Sequence, residues 1–286
     1  MSDYLLSVLL GIIEGLTEFL PVSSTAHLRI FEALAGINLS DGYWKMFSIV
    51  IQLGAILCLP IYFHDRIKRF VASFPRGERD DRGWVTHPLT LTALAFVCTA
   101  VPSLLLIKVI GKHLESLFVM GVALIAGGVV MWVVDALYEH GKLRTHTEQV
   151  EGMGVWQAVW IGACQNFSAV FPGTSRSMST IAAGQLAGMT RASALEFSFF
   201  LSMPTMVAAT GYDLLKTLRD AQTSPLGAVQ MTPHGWVVLA IGFLVSFIVA
   251  YGVVAWFMSW VRRRGFAPFA IYRIVAGAAV LLWLAR

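Results

Sequence analysis

Two acidic residues lie four positions apart in an otherwise apolar stretch near the start of the chain. Glu14 and Glu18 would share one face of a helix. Two neighbouring carboxylates in apolar surroundings repel each other and lose hydration, which is costly unless a cation or a proton lies between them. The spacing therefore predicts a divalent cation held by Glu14 and Glu18. The alternative is a helix at a membrane interface, with both acids in water.

A proline and a run of hydroxyl residues follow the two acids. Pro21 is expected to end the first helix, and Ser23, Ser24 or Thr25 to cap the next one, with His27 in its first turn. A serine at a helix cap means little by itself. A serine beside a histidine and two carboxylates in an apolar segment indicates a reactive site.

A second polar interruption begins at Pro172. Free backbone N–H groups at the start of the following helix, beside a glycine that allows close approach, predict an anion site. Arg176 adds a planar guanidinium suited to phosphate oxygens, and its alternative role is a structural ion pair with Glu14 or Glu18. The other candidate substrate contacts in the two interruptions are Ser23, Thr25, Gly173, Thr174, Ser175, Ser177 and Thr180.

The composition indicates an integral membrane protein. Of 286 residues, 57% are hydrophobic and 13% are charged, whereas a soluble domain has about 25% charged residues. Apolar runs near the roughly 20 residues that cross a bilayer predict an all-α fold with six transmembrane helices, at about 43–63, 88–107, 117–137, 194–215, 235–260 and 268–285. No removable signal peptide is expected.

The net charge of +4 comes with Lys and Arg in short loops. No aromatic residues alternate with these charges, so the sequence argues against a nucleic-acid partner. Eleven Lys and Arg residues occur in the loops 64–87, 138–153 and 261–267, against four in 108–116 and 216–233. The positive-inside rule then places the first group of loops in the cytoplasm, and the site is expected to open to the periplasmic side.

The chain shows a weak internal repeat of about 150 residues. Residues 11–25 align with 162–176 through Gly11/Gly162, Pro21/Pro172 and Ser24/Ser175. Each half has three apolar spans and one interrupted segment, 5–35 or 155–189. We therefore expect two re-entrant helix-turn-helix segments within one transmembrane domain of two inverted repeats, 1–150 and 151–286. Because irregular backbone at membrane depth must be buried or line a wet cavity, the two breaks are expected to meet inside the bundle.

Other polar residues in the apolar spans are given structural roles. Ser193 and Glu196 have the spacing of a capping box, which predicts that Glu196 supports a helix start. Asp135 and Arg273 lie near span ends, where they are expected to reach the membrane interface. Gln52, inside a span, is a weaker candidate to donate into the site.

With both interruptions described, the chain resembles the undecaprenyl-pyrophosphate phosphatase family of bacterial membrane enzymes linked to bacitracin resistance. The resemblance extends over essentially the whole chain. It depends on two motifs, Glu-x-x-x-Glu-Phe-Leu-Pro-Val-Ser-Ser-Thr at residues 14–25 and Pro-Gly-x-Ser-Arg-Ser-x-x-Thr at 172–180. Ala26 departs from the family, which usually has Gly before His27.

The resemblance implies an inner-membrane enzyme that removes one phosphate from undecaprenyl pyrophosphate with Mg²⁺ or Ca²⁺, giving the lipid carrier for peptidoglycan precursors. Glu14 and Glu18 would hold the metal or activate the attacking group. Ser24 would be the nucleophile, His27 an acid/base partner and Arg176 the phosphate clamp. A metal-activated water attacking phosphorus directly is the alternative to Ser24.

Two other classes of protein have some of the same features. Inverted repeats with broken helices also occur in secondary transporters, so a lipid-phosphate flippase or an anion transporter is the main alternative. A non-catalytic lipid-binding protein is a weaker one. Transport alone does not require acids, Ser and His in one break and Arg in the other. A homodimer is left open.

Overall fold

The computed structural model describes residues 2–37, 42–77, 83–106, 116–219 and 232–286. Within these ranges the chain is helical, with short 3-10 turns and an isolated bridge between Thr147 and Met189. The helices in chain order are α1 (Asp3–Thr17), α2 (Ser24–Leu34), α3 (Gly42–Tyr62), α4 (His64–Ser73), α5 (Pro88–Leu105), α6 (Leu117–Glu139), α7 (Val155–Val170), α8 (Arg176–Leu186), α9 (Arg191–Arg219), α10 (Pro233–Val261) and α11 (Ala267–Leu284).

Six of these helices, α3, α5, α6, α9, α10 and α11, are long and apolar enough to cross a membrane. They correspond to the six spans predicted from the sequence, with ends that differ by a few residues. Each is apolar around most of its circumference, as expected where one side packs on other helices and the other side faces lipid. The chain is therefore a multi-pass helical membrane protein.

The segment 64–87 is not a simple loop, because α4 occupies its first ten residues. Alternation of charged and apolar residues lets α4 bury Phe70, which is 3% exposed, while its basic residues stay at the surface. Other parts of the loops used to predict orientation lie outside the described residues, namely 78–82 with Arg79 and Arg82, 107–115 and 220–231.

Close helix contacts depend on small residues. Helix α1 packs on α10 at Gly11, where a Cβ atom would lie 2.7 Å from the carbonyl oxygen of Gly242. Helix α7 packs on α5 at Gly162, where a Cβ atom would lie 2.3 Å from the carbonyl oxygen of Ala95. Lipid offers no hydrophobic gain for bringing helices together, so such close van der Waals packing is what holds them.

Ion pairs fix one end of the bundle. Arg66 of α4 bonds to Glu151, and its Nε donates to Glu196 of α9 at 2.8 Å. Partial burial acts to raise the pKa of Glu151, but the hydrogen bond and positive charge of Arg66 outweigh burial and hold this pKa below its ordinary value. Glu151 therefore keeps its charge, and its contribution to stability, to lower pH than a free glutamate would.

The predicted capping box at Ser193 and Glu196 is wrong, although Glu196 does have a structural contact. Helix α9 begins at Arg191, and the Thr190 hydroxyl accepts from the backbone N–H of Ser193 at 3.2 Å. Because Thr190 serves the helix start, the Glu196 carboxylate is available to pair with Arg66.

The expectation that Asp135 reaches the membrane interface is also wrong, since it is 1% exposed. Its carboxylate accepts from Arg191 Nε at 2.8 Å and from the backbone N–H groups of Phe266 and Ala267 at 2.7 and 3.1 Å. Asp135 thus satisfies the free N–H groups at the start of α11, where a negative charge is favoured.

The contact of α7 with α5 gives a first prediction. Gly162→Ala places a methyl group against the Ala95 backbone, so the helices must separate and we expect a loss of about 1–3 kcal/mol, typical of overpacking. Gly252→Ala is the matched control, because nothing lies within 4 Å of its added Cβ. Thermal unfolding in one detergent should show a lower Tm for Gly162→Ala alone. Equal melting temperatures would contradict this packing.

Candidate active site

The first helix break separates α1 from α2. Helix α1 ends at Thr17, earlier than the expected end at Pro21, because a proline nitrogen cannot donate to the Thr17 carbonyl. Ser23 then takes a left-handed conformation with φ of 74° and caps α2 with its side chain. This turn brings the first residue of α2 back onto α1, where Ser24 Oγ donates to Glu18 Oε2 at 2.6 Å.

The second break has the same local design. Gly173 has φ of 98°, and a Cβ atom there would lie 2.7 Å from the Met120 carbonyl oxygen, so only glycine fits. Ser175, with φ of 73°, caps α8 as Ser23 caps α2. Ser175 therefore has the local role of Ser23, which lies one position before the Ser24 with which the sequence alignment pairs it.

The two breaks meet inside the bundle, as the sequence predicts. Arg176 Nη2 donates to Glu18 Oε1 at 3.0 Å, and both side chains are largely buried. Ser177 Oγ donates to the Leu20 carbonyl oxygen at 3.0 Å. The ion pair considered for Arg176 therefore exists, and it directs Glu18 towards Arg176 with one oxygen and towards Ser24 with the other.

Glu14 has no comparable partner. Its side chain is fully buried, and within the described residues neither carboxylate oxygen accepts a hydrogen bond. Glu18 and Arg176 are the charged groups that act electrostatically on it. A buried carboxylate without donors calls for a cation or a proton, so the residues present fit the predicted metal. No group of three or more His, Cys, Asp or Glu side chains with metal-binding geometry occurs in the described part of the chain.

A cavity of about 600 Å³ lies between the two breaks and the helices α5, α7 and α9. Hydroxyl and charged side chains of the two breaks line part of it, and the three helices add apolar side chains together with Thr99, Ser103, Gln165, Ser168 and Thr205. The predicted site residues that line it are Glu18, Ser23, Ser24, Thr25, Gly173, Ser175 and Arg176. A dianionic head with an apolar tail would match both the polar and the apolar lining of this cavity.

The remaining predicted residues do not line the cavity, namely Glu14, His27, Thr174, Ser177 and Thr180. His27 faces the other side of α2, where Nε2 lies 2.7 Å from the Tyr272 hydroxyl and Nδ1 lies 2.7 Å from the Ser23 carbonyl oxygen. Its acid/base role stays a prediction. Ser177 joins the breaks, and Thr180 Oγ1 lies 2.6 Å from Ser198 Oγ inside the bundle. Thr174 donates its backbone N–H to the Phe171 carbonyl oxygen at 3.1 Å.

The cavity is also lined by two amide side chains, Gln52 and Gln165, which were not among the predicted site residues. Gln52 was only a weak candidate, and its position now places it beside the hydroxyl residues. Gln165 was not proposed for the site, although the alignment of residues 11–25 with 162–176 places it opposite Glu14. It is 3% exposed, and its Oε1 accepts no hydrogen bond within the described residues. Its place opposite Glu14 in the repeat was the signal that could have identified it.

Arg273 does not reach the membrane interface, so that expectation is wrong. It is fully buried, and it donates to the carbonyl oxygens of Pro21 in the first break and Gly173 in the second, at 2.9 and 3.1 Å. An arginine inside an apolar span indicates a functional site by default, which was the signal available in the sequence.

Comparison with known proteins adds to this geometry. The family model described as bacitracin resistance protein BacA matches residues 7–279. A protein of Koribacter versatilis named undecaprenyl-diphosphatase is 67% identical over 285 residues, covering 99% of each chain. Proteins with the same name from Caldanaerobacter subterraneus subsp. tengcongensis and Sorangium cellulosum are 39% and 43% identical, covering 97% of this chain and 95% and 85% of theirs.

Proposed function

The chain belongs to the family of the bacitracin resistance protein BacA, and we propose that it is an undecaprenyl-diphosphatase. It hydrolyses undecaprenyl pyrophosphate to undecaprenyl phosphate and inorganic phosphate. The observation that carries this function is the meeting of Glu18, Ser24 and Arg176 at one cavity between two helix breaks. The names of the relatives favour hydrolysis over the alternative of a lipid-phosphate flippase or anion transporter.

Ser24 is the proposed nucleophile and Glu18 its base. The 2.6 Å hydrogen bond aims the Ser24 proton at the Glu18 carboxylate. The Ser24 oxygen forms a bond to the terminal phosphorus, the anhydride P–O bond breaks, and its electron pair leaves with undecaprenyl phosphate. Water then cleaves the phosphoserine and releases inorganic phosphate. Direct attack by water, with Ser24 as a ligand, is the second route.

Arg176 is the proposed phosphate clamp, helped by the start of α8. Its guanidinium lies at the cavity with Nε free of hydrogen bonds among the described residues. Ser175, which caps the start of α8, also lines the cavity. A planar guanidinium and a helix N-terminus both favour phosphate oxygens.

Glu14 and Glu18 are the proposed ligands of a divalent cation, Mg²⁺ or Ca²⁺. The unpartnered oxygens of Glu14 support this role. When bound, such an ion offsets the negative charge of the pyrophosphate and can activate a water molecule. The protein's own residues then hold the head group and direct the serine proton.

The apolar part of the cavity is the proposed path of the prenyl chain. It is lined towards its outer end by Leu104 of α5 and by Ala208, Ala209 and Tyr212 of α9. These positions lie at the ends of the two spans that are far from the basic segments 64–76 and 261–264. Under the positive-inside rule, this position supports a site that opens to the periplasmic side of the inner membrane.

The proposed architecture is an inverted repeat in which α1–α2 and α7–α8 are re-entrant. The packing supports it, because α1 packs on α10 as its counterpart α7 packs on α5. Likewise α3 packs on α10 and its counterpart α9 packs on α5. Irregular backbone at membrane depth is tolerated where it is buried in protein or lines a cavity, which is the situation of both breaks.

Phosphate release by the purified protein tests the proposed function. In detergent, with undecaprenyl pyrophosphate, a divalent cation and no ion gradient, we expect inorganic phosphate and undecaprenyl monophosphate in equal amounts. A transporter needs two compartments to act, so it would give no product in detergent. Absence of release across several divalent cations would overturn the assignment as a phosphatase.

Replacing Glu18 by Gln tests the base and the cation site together. The change keeps volume but removes the charge that faces Ser24 and Arg176, so activity should fall by about 10²–10⁴, the usual contribution of a general base. The dependence of rate on Mg²⁺ concentration should also weaken or shift. The measurement is phosphate release across a Mg²⁺ titration.

Glu32→Gln is the matched control for Glu18→Gln. Glu32 is also fully buried and accepts from Arg29 and Ser48, but it does not line the cavity. We expect it to lower Tm while the folded protein keeps its turnover and metal response. Normal turnover and an unchanged metal response in Glu18→Gln would remove the carboxylate from the mechanism.

Arg176→Lys tests the phosphate clamp. Lysine keeps the positive charge, but its compact ammonium group cannot bind two phosphate oxygens at once as the planar guanidinium can. If Arg176 steadies charge that builds up during phosphoryl transfer, kcat should fall by about 10² or more, together with a rise in KM. A rise in KM alone would mean that it only anchors the head group. Arg191→Lys, which alters the pair with Asp135 away from the cavity, should affect Tm more than kcat.

Cysteine labelling tests the orientation. In intact cells carrying a variant without Cys58, Cys98 and Cys164, Arg76→Cys should resist an impermeant reagent, because the basic segment 64–87 is expected in the cytoplasm. His234→Cys, at the opposite end of the bundle beside Tyr4, should react readily. Ready labelling at position 76 would reverse the proposed orientation.

A further inference from the structure

Arg273 is a fully buried charged side chain that the proposed chemistry does not use. It lies in α11 with no exposed surface. Nε and Nη2 donate to the Leu124 and Ala123 carbonyl oxygens of α6 at 3.3 and 3.2 Å. Nη1 donates to the Pro21 carbonyl oxygen at 2.9 Å, and Nη2 also donates to the Gly173 carbonyl oxygen at 3.1 Å.

These hydrogen bonds connect the two helix breaks with each other and with α6. Pro21 belongs to the first break and Gly173 to the second, so a single planar group holds both breaks against α6. Among the described residues Arg273 forms no ion pair, and its partners are backbone carbonyl oxygens. Carbonyl groups freed by a helix break need donors from the protein when no water is present.

Only arginine can make this set of contacts. A guanidinium has five N–H donors in one rigid plane, whereas a lysine ammonium has three on one atom. The neighbouring helix leaves room for the guanidinium, because a Cβ atom at Gly127 of α6 would lie 2.2 Å from Nη2. The guanidinium of Arg273 therefore occupies the space left by the absent side chain of Gly127.

We propose that Arg273 is a positioning residue that fixes the distance between the two breaks. Through Pro21 it sets the turn that leads from Glu18 to Ser24. Through Gly173 it sets the turn that precedes Arg176. Arg273 would thereby fix the relative positions of Ser24, the proposed nucleophile, and Arg176, the proposed phosphate clamp, without itself contacting the substrate. The kinetic consequence of this inference rests on the proposed function, whereas the fixed distance between the breaks does not depend on it.

Arg273→Lys is the first test, with Arg191→Lys as its matched control. Both residues are arginines with largely buried side chains, and Arg191 contacts Asp135 rather than a break. Displacing reacting groups by about 1 Å costs up to 10² in rate, so we expect kcat of Arg273→Lys to fall about 10- to 100-fold with a smaller change in KM. The control should keep kcat within a few-fold, even if its Tm falls.

A distance measurement separates positioning from other roles. Spin labels at Leu34 and Leu186, exposed residues at the ends of α2 and α8, report the relation of the two helices that follow the breaks. In a variant without native cysteines, the distance distribution should be narrow with Arg273 and broader or shifted with Arg273→Lys. Arg191→Lys should leave it narrow.

Gly127→Ala provides a second variant that keeps the arginine. The added methyl group must displace the guanidinium, so it should lower kcat and broaden the same distribution. Gly121→Ala is its control on α6, because the atoms nearest its added methyl group belong to the Leu281 side chain, at 2.9 and 3.0 Å, and to the Gly277 carbonyl, at 3.4 Å, rather than to Arg273. This pair keeps the inference testable if Arg273→Lys fails to fold.

Three results would overturn the inference. One is normal kcat together with an unchanged distribution in both Arg273→Lys and Gly127→Ala. Another is a fall in kcat with an unchanged distribution, which would mean that Arg273 affects the reaction without fixing the distance between the breaks. The third is an equal effect of Arg191→Lys on both measurements. If the unaltered protein releases no phosphate, the proposed function fails, and the width of the distribution still decides whether Arg273 fixes the breaks.

Discussion

A helix that stops inside an apolar bundle leaves backbone donors and acceptors that water cannot reach, and the structure depends on how these groups are satisfied. The chain has two such breaks and brings them together, so that each supplies partners for the other. Ser177 donates to Leu20 across the breaks, and Arg273 donates to Pro21 and Gly173. Interrupted helices are stable here because their ends are buried against each other.

The same arrangement buries charged side chains inside the bundle, which is unfavourable in free energy. Glu18 is satisfied by Ser24 and Arg176, but Glu14 one turn earlier has no donor within the described residues. Burying this second carboxylate is costly in free energy unless a cation or a proton neutralises it. A site that is electrostatically incomplete by itself is well suited to bind a metal ion together with an anionic head group.

Much of this organisation was predictable from the sequence, because apolar length and helix-breaking residues act locally. The six spans follow from runs of apolar residues, and the two breaks follow from Pro21 and Pro172 with their hydroxyl residues. The convergence of Glu18 with Arg176 follows from the need to bury both breaks. Their roles in catalysis remain predictions that the proposed experiments address.

What the sequence could not indicate depends on contacts between helices. Arg273 and Asp135 were expected at the interface because their positions near span ends allow it, yet neighbouring helices offer each of them backbone partners. The direction of His27 depends on which face of α2 meets Tyr272. Periodicity describes one helix at a time, so it cannot determine which buried polar residue finds a partner on another helix.

The two ends of the bundle differ in a way that bears on how a lipid substrate enters. At the basic end, Arg66 joins α4 to Glu151 and to α9 through Glu196, and Asp135 joins α6 to Arg191 and to the start of α11. These charged contacts tie helix ends together, so separation there would break several buried or half-buried ion pairs.

At the other end, α5 and α9 face the cavity with small or apolar residues such as Ala100 and Ala208. Apolar contacts between these spans can be replaced by contacts with a prenyl chain at little cost, since lipid and side chains are alike in polarity. Although Asp3 and His234 also pair at this end, no ion pair among the described residues joins α5 to α9, so entry of the proposed lipid substrate between these two spans would break no ion pair there.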